Sequence, residues 1–84
     1  MAYTIVLSRT CQKQLDKLPD ETADRIMDSL ETLADDPRPP GCKKLKSRQG
    51  YRLRTGDYRI LYEVEDDQLL VLVFAIGHRR DIYR

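Results

Sequence analysis

Residues 51–62 read Tyr-Arg-Leu-Arg-Thr-Gly-Asp-Tyr-Arg-Ile-Leu-Tyr, and this run leaves the chain little freedom in how it folds. Gly56-Asp57 is a two-residue turn signal with glycine at the first central position, as a type II′ hairpin requires. The turn sets the register. Thr55 falls opposite Tyr58, Arg54 opposite Arg59, Leu53 opposite Ile60 and Arg52 opposite Leu61. Opposed residues share a face, and so do residues two apart on one strand. Arg52, Arg54 and Arg59 therefore project from one side, and Tyr51, Leu53, Ile60 and Tyr62 from the other, which reads as core. Three neighbouring guanidinium groups repel one another unless an anion sits among them, and phosphate suits their planar fork. The alternative is a solvated face with ion pairs to Glu63 or a neighbouring acid, which contribute little stability.

Charge supports the first reading. Net charge is only +1, yet it is polarised along the chain. Residues 1–36 carry four basic and eight acidic side chains, net −4, and residues 37–84 carry eleven basic and six acidic, net +5. From Arg38 to Arg59 there are eight basic side chains and one acid, Asp57. Such a surface steers polyanions to one side of the molecule.

The 84 residues are expected to form one domain, residues 1–84. Residues 3–7 are apolar and β-branched, a first strand. Ser8 is placed to cap a short helix over residues 9–18, with Cys11, Leu15 and Leu18 on one side. Pro19 ends it, and Asp20 is placed to cap a second helix. There Ala23, Ile26, Met27, Leu30, Leu33 and Ala34 make one apolar stripe. Residues 37–50 read as an irregular basic loop stiffened by three prolines, anchored by Leu45. In it Lys43, Lys44, Lys46 and Arg48 are candidate phosphate contacts, or simply solubilising charges. Residues 65–68 read as a polar turn. Residues 69–76 are apolar throughout, as in a central strand covered on both faces. A two-residue turn at Asp66-Asp67 would put Leu70, Leu72 and Phe74 on the arginine face. The tail His78-Arg79-Arg80-Asp81-Ile82-Tyr83-Arg84 then emerges beside Arg59, with Ile82 and Tyr83 able to dock on the sheet. The expected architecture is α+β, a helical hairpin packed on an antiparallel sheet of about four strands.

Several chemistries are poorly served. Two cysteines and one histidine make no familiar zinc or redox spacing, so no metal or cofactor is expected. Two thiols and no targeting pattern fit a reducing, cytoplasmic setting. The longest apolar run is far short of the about 20 residues needed to span a membrane. No serine or cysteine has an identifiable base. What remains is cationic stabilisation by Arg52, Arg54, Arg59 and Arg79 around a phosphate, with Tyr83 or His78 to accept or relay a proton. RNA brings its own nucleophile, the 2′-hydroxyl beside each phosphate. An enzyme that aligns it and stabilises the phosphorane needs no metal.

The chain resembles the RelE/ParE superfamily of toxin–antitoxin systems, on the RelE side. The resemblance rests on the early strand, the two helices, Pro40-Gly-Cys-Lys-Lys-Leu45, the hairpin of residues 51–62 and the ending Ile76-Gly-His-Arg-Arg-Asp-Ile-Tyr83. It implies a fold like that of small microbial ribonucleases and cleavage of messenger RNA in the ribosomal A site. It also implies a cognate antitoxin that neutralises the toxin, and contact with operator DNA only through that complex. The strand-borne basic pair of the family, often lysine, corresponds to Arg52 and Arg54. The arginine after the glycine turn corresponds to Arg59, the arginine after the last strand to Arg79, and the C-terminal tyrosine to Tyr83. His78 precedes Arg79, where some related toxins use a histidine. Lys43, Lys44, Lys46, Arg48 and Arg80 are the expected RNA and ribosome contacts. The rivals are a ParE-like inhibitor of DNA gyrase without nuclease activity, and a corepressor acting only with its antitoxin.

Overall fold

The computed structural model of the chain describes residues 2–78 and 80. In chain order the elements are β1 (Thr4–Leu7), α1 (Arg9–Asp16), α2 (Asp20–Asp35), β2 (Lys43–Lys44), β3 (Tyr51–Thr55), β4 (Tyr58–Glu65) and β5 (Leu70–His78). The strands form one sheet in the order β1-β5-β4-β3-β2, and the two helices cover one of its faces.

The helices start and stop for local reasons. The Ser8 hydroxyl accepts a hydrogen bond from the Cys11 amide at 3.1 Å, capping α1 as its position in the sequence predicts. Helix α1 stops at Asp16, two residues short of the expected end, and the Lys17 amide closes it on Gln14 and Leu15. Pro19, not Asp20, is the N-cap of α2; Asp20 and Glu21 lie in the first turn, where the helix dipole favours negative charge. The apolar stripe of α2 places Ile26, Leu30 and Leu33 against the sheet, while Met27 stays 44% exposed.

The core joins Cys11, Leu15, Ile26, Leu30 and Leu33 to Ile60, Tyr62, Val71, Val73 and Ile76. Burying each large aliphatic side chain contributes about 1.5–3 kcal/mol. Tyr51 and Leu53 pack against this cluster, so the apolar side of the hairpin is the core side. The buried Tyr62 hydroxyl donates to the Pro37 carbonyl at 2.7 Å and ties the start of the basic loop to the core.

Three features differ from expectation. The sheet has five strands and is mixed, because β1 runs parallel to β5 with Thr4 opposite Leu70 and Leu7 opposite Val73. The loop expected to be irregular contributes β2, where Lys43 pairs with Arg52 and Lys44 with Tyr51. Finally, β5 is central in the sheet, but only one of its faces is packed under helices. Leu70, Leu72 and Phe74 on the other side are half-buried. The β4–β5 connection is the four-residue turn 66–69, not a two-residue one. It puts Leu69 in the left-handed region at φ 54°, a conformation unfavourable for a side chain of that kind. Glu65 then faces Leu70 and Glu63 faces Leu72, so both leucines still share the arginine face. A bulge follows: Tyr62 faces Val73 and Leu61 faces Ala75, which leaves Phe74 as the extra residue.

Candidate functional site

The β3–β4 turn has the geometry its sequence calls for. Gly56 sits at φ 59°, Asp57 keeps a negative φ, and the pairs Arg54–Arg59, Leu53–Ile60 and Arg52–Leu61 form as expected. The three arginines consequently share the sheet face that carries no helix. Lys43 joins them, because it pairs directly with Arg52 across β2 and β3. Gly41, Lys43, Arg52, Arg54 and Arg59 line a recess of about 160 Å³. The recess is open to solvent and has room for a tetrahedral anion. Four cationic side chains from three strands bring charge to it without placing any one of them on a mobile tip.

The remaining basic residues are sorted by the fold. Lys44, opposite Tyr51, lies one residue out of phase with Lys43. Lys46 lines a neighbouring recess with Lys44, Leu45, Ser47 and Arg52. Arg48 is bonded to the Glu63 carboxylate at 2.8 Å, and its guanidinium carbon lies 3.8 Å from the centre of the Phe74 ring. Arg38 donates two hydrogen bonds to Asp66, at 3.0 and 3.3 Å, and one to the Tyr51 hydroxyl at 3.0 Å. The Tyr3 hydroxyl donates to the same carboxylate at 2.8 Å. These bonds from Arg38 and then Tyr3 hold the Asp66 carboxyl below its ordinary range, and the bond to Asp66 pushes the Tyr3 phenol up. Arg38 thus clamps the start of the basic loop to the β4–β5 turn. Glu63, the acid considered as a partner for the arginine cluster, is engaged by Arg48.

The loop that carries Lys43 and Arg48 passes close to β4 only because Gly50 lacks a side chain. Gly50 is at φ 137°, and a Cβ there would lie 2.7 Å from the Tyr62 carbonyl oxygen. Its own carbonyl accepts from the Leu45 amide at 2.9 Å, closing the loop at the residue expected to anchor it.

His78 is not brought into the recess. It pairs with Tyr58, whereas Arg59 pairs with Gly77, so strand alternation turns His78 to the opposite face. Its ring packs edge-on against Tyr58 at 5.5 Å, and its Nδ1 accepts the Arg80 amide at 3.2 Å. In the neutral ring this leaves the proton on Nε2. Arg80 is exposed. Arg79 and Tyr83, the other expected contributors, lie outside the described residues. Among the described residues, no three histidine, cysteine or acidic groups come together to hold a metal ion, and no helix is long and apolar enough to cross a membrane. Sequence reasoning placed Phe74 on the arginine face but gave it no task, and it gave none to Gly41. Gly41 follows two prolines and sits at φ 94°, a turn signal before β2.

Comparison with known proteins agrees with this geometry. Residues 5–83 match the family model described as the ParE toxin of the parDE type II toxin–antitoxin system. Toxin RelG of Mycobacterium tuberculosis is 30% identical over 86 residues, covering 100% of this chain and 99% of its own length. The mRNA interferase toxin RelE of Escherichia coli K12 is 28% identical over 87 residues, covering 94% of this chain and 85% of its own. Among solved structures, the toxin–antitoxin complex RelBE2 of Mycobacterium tuberculosis superposes with a TM-score of 0.84 at 26% identity, over 96% of this chain and 95% of that one. A helical hairpin on a mixed sheet and a hairpin-borne arginine cluster thus coincide with a match over almost the whole chain: it belongs to the RelE/ParE superfamily of toxins of type II toxin–antitoxin systems.

Proposed function

We propose that this toxin is an endoribonuclease that cleaves messenger RNA on the ribosome, without a metal, through attack by the RNA's own 2′-hydroxyl. The observation that carries this reading is the recess lined by Lys43, Arg52, Arg54 and Arg59. In the reaction the 2′-oxygen forms a bond to the adjacent phosphorus and the bond to the 5′-oxygen breaks. A 2′,3′-cyclic phosphate and a 5′-hydroxyl result. The 2′-hydroxyl loses its proton and the leaving oxygen gains one. Arg52, Arg54 and Arg59 hold the charge that grows on the phosphorane, and Arg79 is a further candidate for that task. Tyr83 is the candidate for proton transfer, because arginine is too weak an acid and His78 lies on the other face. Weak acid–base equipment is the reason for dependence on the ribosome, which supplies substrate geometry. Lys44 and Lys46, with Arg80, make the electrostatic approach to ribosomal RNA.

A cognate antitoxin is the expected partner, since the similar solved structure from Mycobacterium tuberculosis is a toxin–antitoxin complex. Operator DNA would be met only through that complex. A second reading, inhibition of DNA gyrase by binding alone, is favoured by one observation: the matching family model is described for ParE.

Replacing Arg59 with alanine removes a preorganised donor to the phosphorane. Cleavage in a translation reaction should fall roughly 10²–10³-fold, about 2.7–4 kcal/mol of transition-state stabilisation. Thermal melting should hardly change. Intact messages in cells producing the wild-type toxin, together with accumulated gyrase-cleaved DNA, would sink the nuclease reading in favour of its rival.

A further inference from the structure

Arg48 was expected to contact phosphate, but its surroundings fit it poorly for that task. Its charge is matched by Glu63 at 2.8 Å, so it adds little to the attraction of a polyanion. What it presents instead is a plane. The guanidinium carbon lies 3.8 Å from the Phe74 ring centre, the separation of groups in face-to-face van der Waals contact. Glu63 holds the guanidinium from the side, and the Arg48 side chain remains 52% exposed while that of Glu63 is 27% exposed. A flat group is thus backed by an aromatic ring, braced by a carboxylate and open to solvent.

Its position on the sheet matters as much. The bulge makes Phe74 the extra residue of β5, next to the Leu61–Ala75 pair. Leu61 is two residues from Arg59 on β4, a step of about 7 Å along the strand. The stack therefore lies on the same helix-free face as the arginine recess, one short step further along it. A single RNA strand with a phosphate in the recess has a neighbouring base within reach of this spot. Unpaired bases are recognised by stacking on aromatic rings or arginine planes.

We propose that Arg48 and Phe74 form a base-stacking platform that takes an unpaired nucleobase flanking the phosphate held in the arginine recess. The largest bases gain most from stacking, so a purine is preferred. Glu63 keeps acceptor capacity beyond its bond to Arg48 and favours bases with an exocyclic amine, which both purines, adenine and guanine, carry. This platform rests on the proposed action on RNA for its ligand class, but its test does not depend on cleavage.

Phe74 is the one phenylalanine of the chain, so a sample carrying fluorine-labelled phenylalanine gives one ring signal to follow. The probes are a 2′-O-methyl hexa-adenylate, which lacks the 2′-hydroxyl and stays intact, and inorganic polyphosphate of matched charge. The Phe74 signal is expected to move with the oligonucleotide and not with polyphosphate. Arg48→Lys keeps the charge and loses the plane; Phe74→Leu keeps an apolar group and loses the ring. Each is expected to weaken oligonucleotide binding by roughly tenfold, the effect of losing one stacked base. Binding of polyphosphate should stay near the wild-type value for both. A Phe74 signal that is silent toward the oligonucleotide, or equally responsive to polyphosphate, overturns the platform. So does unchanged oligonucleotide affinity in well-folded Arg48→Lys, should Phe74→Leu fail to fold. Message cleavage by the wild type is read separately. A cleaving toxin with a silent Phe74 loses the platform alone, and a responsive Phe74 in a toxin that leaves messages intact loses the nuclease reading alone.

Discussion

The two faces of the β3–β4 hairpin are made by alternate residues of the same strands, yet they obey different physics. Ile60 and Tyr62 are fully buried, packed under two helices. Arg59, between Ile60 and the turn, faces the other way with Arg54, Arg52 and Lys43 around an open recess. One face is close-packed, where a missing methylene is felt. The other gathers cationic side chains around a recess, where an anion can be held. Stability is thus written on the residues of one parity and chemistry on those of the other. Substitutions should separate the two.

The largest expected effect is on the packed face. Ile60→Ala removes a fully buried side chain, and should lower stability by about 2–5 kcal/mol in chemical denaturation. Its folded fraction should retain full affinity for polyanions. A loss of affinity beyond the unfolded fraction would show that the faces are coupled.

Tyr62→Phe comes next. It leaves the Pro37 carbonyl without its 2.7 Å donor and should cost about 1–3 kcal/mol. The variant also carries a pH signature. Burial pushes the Tyr62 phenol above its ordinary value, so its contribution is complete below about pH 10 and is lost as pH rises toward the folded value. The alkaline fall in stability should therefore be shallower in Tyr62→Phe, as read from melting temperature against pH.

Along the basic loop, replacing Lys43, Lys44 and Lys46 with alanine should leave melting unchanged and flatten the salt dependence of single-stranded RNA binding. The slope should fall by at most about 2, given roughly 0.7 for each neutralised phosphate. An unchanged slope would remove these lysines from the RNA path.

The smallest effect belongs to the exposed clamp between the faces. Asp66 is held below its ordinary carboxyl value by Arg38 and then Tyr3. Its contribution is present above the unfolded value, about 3.9, and is lost as pH falls through the folded one. Asp66→Asn should match the wild type in strong acid and trail it slightly at neutral pH. Equal melting temperatures across the whole range would mean that the clamp contributes no stability.

The hairpin could be read from the sequence because Gly56 pins its register and every later side-chain assignment follows from that. The next connection had no such anchor. Its four-residue turn places Leu69, not a glycine, in the left-handed region, and the bulge at Phe74 has no sequence mark of its own. The α+β class and the helix stripe were equally plain, since Ile26, Leu30 and Leu33 repeat at helical spacing. Strand β2 was hidden because two residues cannot show a period. The parallel pairing of β1 with β5 was hidden because no local turn joins them. Within the site, the three hairpin arginines were legible as a cluster. The engagement of Arg38 by Asp66 and of Arg48 by Glu63 was not, because those pairs connect distant parts of the chain and only the fold brings them together.

The pairing of β1 with β5 also sets an order of events as the protein is made. Among the described residues, β1 is the first strand in sequence order and its sheet neighbour β5 is the last. Until residues 70–73 emerge, Thr4–Leu7 has no backbone partner in the sheet, and β4 lacks its neighbour on that side. Non-local pairing of this kind delays folding until both partners are available. The sheet that supports the arginine face is therefore complete only once β5 has been made and has joined β1 to β4.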